Sequence, residues 1–166
     1  KNYKNIVWYG RGPHENYIDR KSSAFVGLYE NLVEDLDFEY SRPQENGYRT
    51  DVRWFRALNE NNIGFEIKGE PMISFSAHYN TIEDFDDGLS PKIPGENQGS
   101  RKRIIKKQRK PIDLVERDFI SLNIDLKQMG VGGDNSWGAR TLPKYTLQPG
   151  NYSYSFTVKP LNWVKI

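Results

Sequence analysis

Ile120-Ser121-Leu122-Asn123-Ile124-Asp125-Leu126 alternates apolar and polar side chains without a break. Tyr152-Ser153-Tyr154-Ser155-Phe156-Thr157-Val158 does the same near the other end of the chain. A strand turns successive side chains to opposite faces, so period two marks half-buried strands. Four more segments have strand character: Ile6 to Tyr9, Thr50 to Leu58, Ile63 to Lys68 and Met72 to Ala77. The punctuation between them suits the same layout. Asn59-Glu60-Asn61-Asn62 reads as a hairpin loop, and Glu45-Asn46-Gly47 and Gln148-Pro149-Gly150-Asn151 read as turns. The predicted fold is therefore all-β, sheet packed on sheet. Helix signals are few. Ser22 to Leu32 and Thr81 to Asp86 are each expected to form a short helix, the second with Thr81 as its N-cap and Asp84 three positions on.

The chain has 166 residues, enough for one domain and too few for a catalytic barrel of roughly 250 residues with an accessory module. Its apolar share is 36%, but 10 Tyr, 8 Phe and 4 Trp supply large burial areas and favour a folded chain over disorder. There is no cysteine, which excludes disulfides, thiolate metal sites and a cysteine nucleophile. No apolar run approaches the ~20 residues of a membrane span, and the first residues show no signal-peptide pattern. The chain reads as a soluble piece of something longer, cytoplasmic or periplasmic. Its 24 basic and 22 acidic side chains nearly balance, so nothing in the net charge calls for nucleic acid or an anionic membrane. Residues 87–117 read as an irregular basic loop or insertion. Its densest part, Arg101 to Lys110, lacks the interleaved aromatics of a base-stacking surface and reads as a solvated loop.

Two segments are dense enough in functional side chains to carry chemistry. The first is Trp8-Tyr9-Gly10-Arg11-Gly12-Pro13-His14-Glu15-Asn16-Tyr17-Ile18-Asp19-Arg20. Here glycines permit positive φ and Pro13 fixes a turn. Glu15 and Asp19 could form the acid/base pair of a glycosidase, which needs two carboxylates flanking one bond. Alternatively, Arg11 and Arg20 pair with them, which would keep both ionised and assign Arg11, Glu15 and Asp19 to supporting the turn.

The second segment is Met129-Gly130-Val131-Gly132-Gly133-Asp134-Asn135-Ser136-Trp137-Gly138. An indole in a Gly-rich loop beside polar side chains suits a sugar platform, since apolar C–H faces stack on the ring while polar groups bind hydroxyls. A Trp folded over a sheet edge is the alternative. The glycines also resemble a phosphate cradle, but no Walker lysine and no helix start follow. His14 and His78 stand far apart and form no metal motif. No Gly-x-Ser-x-Gly elbow is present.

These same segments carry a family resemblance. Trp8 to Tyr17 with Asp19-Arg20 resembles the Gly-Arg-Gly-Pro-x-Glu-x-Tyr-x-Asp-Arg signature of the small-chain, or C-terminal, domain of family 2 β-galactosidases. Gln44-Glu45-Asn46-Gly47 followed by Arg49 is similar to that domain's Glu-Asn-Gly turn. Phe75-Ser76-Ala77 with Tyr79 is similar to its next strand, and Met129 to Trp137 to its most specific motif.

The resemblance implies a galactose-mutarotase-like β-sandwich packed against a separate catalytic (β/α)8 barrel. That barrel would own the two catalytic glutamates and the metal ions, leaving no catalytic residue and no cofactor in this domain. Trp137 is then expected to contact the galactoside, with Asn135 a second candidate. Asp134, Ser136, Gly132 and Gly133 would support the loop. Two departures stand out: the basic stretch between Asp87 and Asp118 with a missing family histidine, and a start partway into the family domain. A partial sandwich exposes a strand edge, a route to a homo-oligomer. An independent carbohydrate-binding module and a structural interaction domain are the competing functional readings.

Overall fold

The computed structural model describes residues 2–41, 43–85, 111–133, 135 and 138–162. Strand β1 (Asn5–Gly12) sits between β2 (Phe25–Leu32) and β3 (Arg49–Leu58), and β3 pairs in turn with the long β4 (Gly64–His78). On its far side β4 serves two partners. Gly64 to Glu70 pair with β6 (Ser155–Leu161), and Ser74 to His78 pair with β5 (Ser121–Asp125). All six strands form one continuous antiparallel sheet, and among the described residues the helices are short 3₁₀ turns. The all-β expectation holds, and the arrangement is consistent with a sandwich domain.

The two segments Ile63 to Lys68 and Met72 to Ala77 are a single strand. Pro71, which has no N–H to give, falls between the last β6 pair at Glu70 and the first β5 pair at Ser74. No ladder bond is lost there. The Asn59 loop closes the β3–β4 hairpin as expected, with the Asn59 side chain accepting from the amides of Asn61 and Ile63, both at 2.9 Å.

The helix expected over Ser22 to Leu32 is a correction: Phe25 to Leu32 form an edge strand fully registered against β1. Phe25, Leu28, Tyr29 and Leu32 happen to have helical spacing, but Gly27 disfavours a helix and lies opposite Gly10. Tyr29 meets the Trp8 ring at 5.3 Å. Tertiary pairing overrides the local pattern. The second expected helix exists as the 3₁₀ turn Ile82–Asp84, closed by a capping box between Thr81 and Asp84; Asp86 and the rest of 86–110 lie outside the described residues.

Trp8, Phe55 and Phe75 centre the core, with Phe55 and Phe75 stacked at 4.4 Å and the Trp8 ring edge-on to Phe75. Ile6, Val52, Ala57, Ile67, Ile73 and Ala77 surround them, and Val33 and Leu36 close the cluster from the 3₁₀ turn after β2. Each fully buried large apolar side chain contributes about 1.5–3 kcal/mol. Register breaks in the β3–β4 pairing around Val52, with Asp51 at φ 53°, mark a bulge. It bends β3 and aims Asp51 towards the end of β1.

Candidate functional site

β1 runs through Gly12, so Gly10 and Gly12 are strand residues. They are glycines for want of room: a Cβ on Gly10 would lie 2.7 Å from Val52 Cγ2, and one on Gly12 2.8 Å from the Tyr29 ring. The chain then turns beneath the strand end through His14 to Arg20. Buried Asn16 organises this turn. Its Oδ1 accepts from the Thr50 amide at 3.1 Å and the Thr50 hydroxyl at 2.6 Å, while its Nδ2 donates to the His14 carbonyl at 3.1 Å. Tyr17 and Arg20 exchange main-chain bonds at 3.2 and 2.8 Å, which leaves Asp19 at the tip of a tight turn.

The Gly-rich loop docks on that tip. The Asp19 carboxylate accepts from the Val131 amide at 3.1 Å and the Gly132 amide at 2.9 Å, one bond to each oxygen. The Arg20 guanidinium donates to the Gly132 carbonyl. Gly132 and Gly133 have φ of 62° and 75°, left-handed values that glycine adopts without strain. The anion held by the successive Val131 and Gly132 amides is a side chain of the protein itself. A Cβ on Gly130 would fall 2.7 Å from Asp19 Cγ. The root of the loop is fixed from the other side by Gly130 N donating to the Tyr145 carbonyl at 2.9 Å and Thr141 Oγ1 to the Gly130 carbonyl at 2.6 Å. Further out, Asn135 Oδ1 accepts from the Ala139 amide at 3.3 Å and closes the loop on itself.

Next to this junction lies an open hollow of about 480 Å3, lined by Glu15, Tyr17, Arg20, Tyr40, Glu45 and Gly133 among others. Glu15 is an acceptor for the Tyr17 hydroxyl at 3.0 Å, the Gly47 amide at 2.8 Å and the Tyr40 hydroxyl. Burial, and then the bond to Glu15, pushes the Tyr40 phenol up to about 12. Burial and the charge of Glu15 raise Tyr17 further still. Both phenols stay protonated and donating at neutral pH. Burial, followed by the like charge of Asp125, also lifts the Glu45 carboxyl above its ordinary range, with His78 opposing.

Comparison with known proteins gives this geometry its context. Residues 1–158 match the family model described as the β-galactosidase small chain. The chain belongs to that family. A β-galactosidase of Priestia megaterium is 39% identical over 160 residues, covering 96% of this chain and 14% of the relative. One from Vibrio cholerae is 34% identical over 155 residues, covering 93% and 12%. One from Streptococcus thermophilus is 30% identical over 162 residues, covering 96% and 14%. The chain thus spans about one seventh of the length of these curated relatives.

Of the expected site residues, the structure describes Arg11, Glu15, Asp19, Gly132, Gly133 and Asn135. Arg11 is a correction. Its guanidinium pairs with Asp51 at 2.6 Å and with the Ala24 carbonyl at 2.7 Å, not with Glu15 or Asp19. Alternation explains this: Trp8, Gly10 and Gly12 face the core, so Arg11 faces outward, where the bulge delivers Asp51. Gly132 and Gly133 hold positive φ in this loop, and Asn135 Oδ1 accepts from the Ala139 amide. Asp134, Ser136 and Trp137 lie outside the described residues.

His14 Nε2 is hydrogen-bonded to Ser23 Oγ at 3.2 Å. Buried His78 sits between the Asp37 carboxylate and the Asn46 carbonyl. Among the described residues no cluster of three or more His, Asp or Glu could hold a metal ion, and no helix is long and apolar enough to cross a membrane. The sequence reading missed Tyr40 as a Glu15 partner. It also gave no role to Arg49, which is buried and donates to the carbonyls of Leu36, Gly47 and Pro13 at 3.0, 2.6 and 3.1 Å. Burial lowers Arg49 to about 10, Glu15 opposing, so it remains a cation. An arginine directly before Thr50 in a strand-like run was the available signal.

Proposed function

We propose that this chain is the accessory C-terminal domain of a retaining family 2 β-galactosidase, an enzyme that hydrolyses terminal β-D-galactosides. In this reading the loop through Trp137 reaches a galactoside site on a separate catalytic barrel, and the barrel holds the catalytic glutamates and any metal ions. The domain works by orientation: a preplaced aromatic wall restricts the poses of the sugar, and no proton passes through this chain.

The observation that carries the reading is the fate of Glu15 and Asp19. A retaining glycosidase needs one carboxyl to give up a proton and another, about 5–5.5 Å away, free to attack the anomeric carbon. Both oxygens of Asp19 are held by main-chain amides, and Glu15 is held by two phenols and an amide. These are structural carboxylates.

The test is hydrolysis of a chromogenic β-galactoside by the chain alone and by the full-length enzyme with and without Trp137→Ala. The chain alone is expected to be inactive, and the variant to lose about tenfold or more in kcat/KM, the scale of one aromatic stacking contact. Robust turnover by the purified chain would overturn the reading, as would a full-length Trp137→Ala enzyme with unchanged kinetics.

A further inference from the structure

The geometry points to Asp19 as the positioning residue of the Trp137 loop, an inference that rests on the reading of Trp137 as a substrate contact. Asp19 itself touches no sugar. It acts through the main chain of Val131 and Gly132, and four features of the structure bear on that role.

The first is the bond pattern. A carboxylate offers two acceptor oxygens to two N–H groups, here at 3.1 and 2.9 Å, and hydrogen bonds to a charged acceptor are among the strong ones. The second is the fit. With Asp19 Cγ 2.7 Å from where a Gly130 Cβ would stand, the loop has no space for a side chain at Gly130. The third is conformation: Gly132 combines a φ of 62° with a hypothetical Cβ only 3.0 Å from the Thr141 amide, so any other residue is strained there. The fourth is closure. Asn135 Oδ1 takes the Ala139 amide at 3.3 Å, a second tie among the described residues of this region.

The two signature segments, 112 residues apart between Asp19 and Val131, are therefore halves of one device. One supplies the anion and the other the amides that receive it. A contact residue displaced by even about 1 Å can cost a large factor in rate, so the value of this latch lies in where it holds the loop.

Asp19→Asn is the sharpest variant because it keeps the shape and removes one acceptor: its NH2 group must face one of the two amides. In the full-length enzyme it should move KM and kcat in the same direction and proportion as Trp137→Ala, by about threefold to tenfold. The Asp19→Asn/Trp137→Ala double variant should be no worse than Trp137→Ala alone, because both changes remove the same contact. Gly130→Ala, which crowds the carboxylate without altering it, should reproduce the effect and serves if the Asp19 variant folds poorly. Asp51→Asn is the control for a merely structural role and should shift thermal stability while leaving the KM-against-kcat split unchanged.

If Trp137→Ala shifts the kinetics while Asp19→Asn and Gly130→Ala behave as wild type, the latch proposal falls and the accessory-domain reading survives. Additive losses in the double variant also overturn the latch. An inert Trp137→Ala overturns the reading beneath both.

Discussion

Asn16 and Asp51 lie near the same end of β1, one beneath the turn and the other at the bulge on the outward side. The protein uses them differently. Asn16 is wholly buried and satisfies the main chain on both sides of it, linking the turn to β3 through Thr50. Asp51 is about a quarter exposed and holds the cations of Arg11 and Lys21 at 2.6 and 2.9 Å. Mobile side chains and ions in solution can replace the partners of Asp51, but nothing replaces main-chain groups sealed from water. The inner side of the turn therefore sets a conformation, while the outer side only stabilises one. The turn that presents Asp19 to the loop is specified from within.

The comparison can be broken most directly at Asn16. Asn16→Ala strands the buried Thr50 amide and hydroxyl and removes the part-buried bond to the His14 carbonyl, and should cost about 3–5 kcal/mol. Urea denaturation of the chain measures it. A loss under about 1 kcal/mol would mean that water reaches the turn and that the contrast with Asp51 is empty.

How legible this was in the sequence follows the same division. Strands β5 and β6 could be read directly from the alternation of apolar and polar residues, although all five residues of β5 are half-buried and Ser155 to Pro160 of β6 are exposed, so the alternation is not matched by one buried and one exposed face. The edge strand β2 was misread because Phe25, Leu28, Tyr29 and Leu32 fit a helix as well as a strand, and only its pairing with β1 decides between them. The bulge at Asp51 leaves no trace in composition, and it is what brings Asp51 to the outward-facing Arg11. Glu15 and Asp19 stood out as chemistry-bearing residues. Apart from Tyr17, two residues from Glu15, their partners Tyr40, Gly47, Val131 and Gly132 lie 25, 32, 112 and 113 residues away. No local pattern encodes such distances.

A smaller effect is expected at the edge of the hollow, where Glu15 is intermediate between the two extremes. The Tyr40 phenol is raised to about 12 from an ordinary 10.0, with burial the larger cause and the Glu15 bond the next. A phenol whose folded pKa exceeds its unfolded one adds stability below pH 10 and loses it progressively as pH rises from 10 towards 12. Ultraviolet titration of phenolate absorbance should show a class of tyrosines ionising late, and Glu15→Gln should bring Tyr40 back towards ordinary behaviour. Unchanged titration in that variant would leave burial as the whole cause and remove Glu15 as the bracket of the Tyr40 to Gly47 segment.

The smallest effect belongs to Asp51. Burial pushes its carboxyl upward, but the hydrogen bonds from Arg11 and Lys21 outweigh that, and the folded state holds it below the ordinary carboxylate range. A lowered folded pKa means that the unfolded chain binds the proton first, so this stabilisation is present above about pH 4 and is lost as the solution is made more acid. Because the pair is partly exposed, Asp51→Asn should cost only about 1 kcal/mol or less at neutral pH. That deficit should shrink at high salt, where exposed charges are screened, and disappear in acid, where the wild-type carboxyl also becomes neutral. Stability curves for both proteins across pH and salt decide the point. A deficit as large as that of Asn16→Ala, or one indifferent to acid and salt, would place Asp51 among the groups that specify the turn and erase the distinction between its two sides.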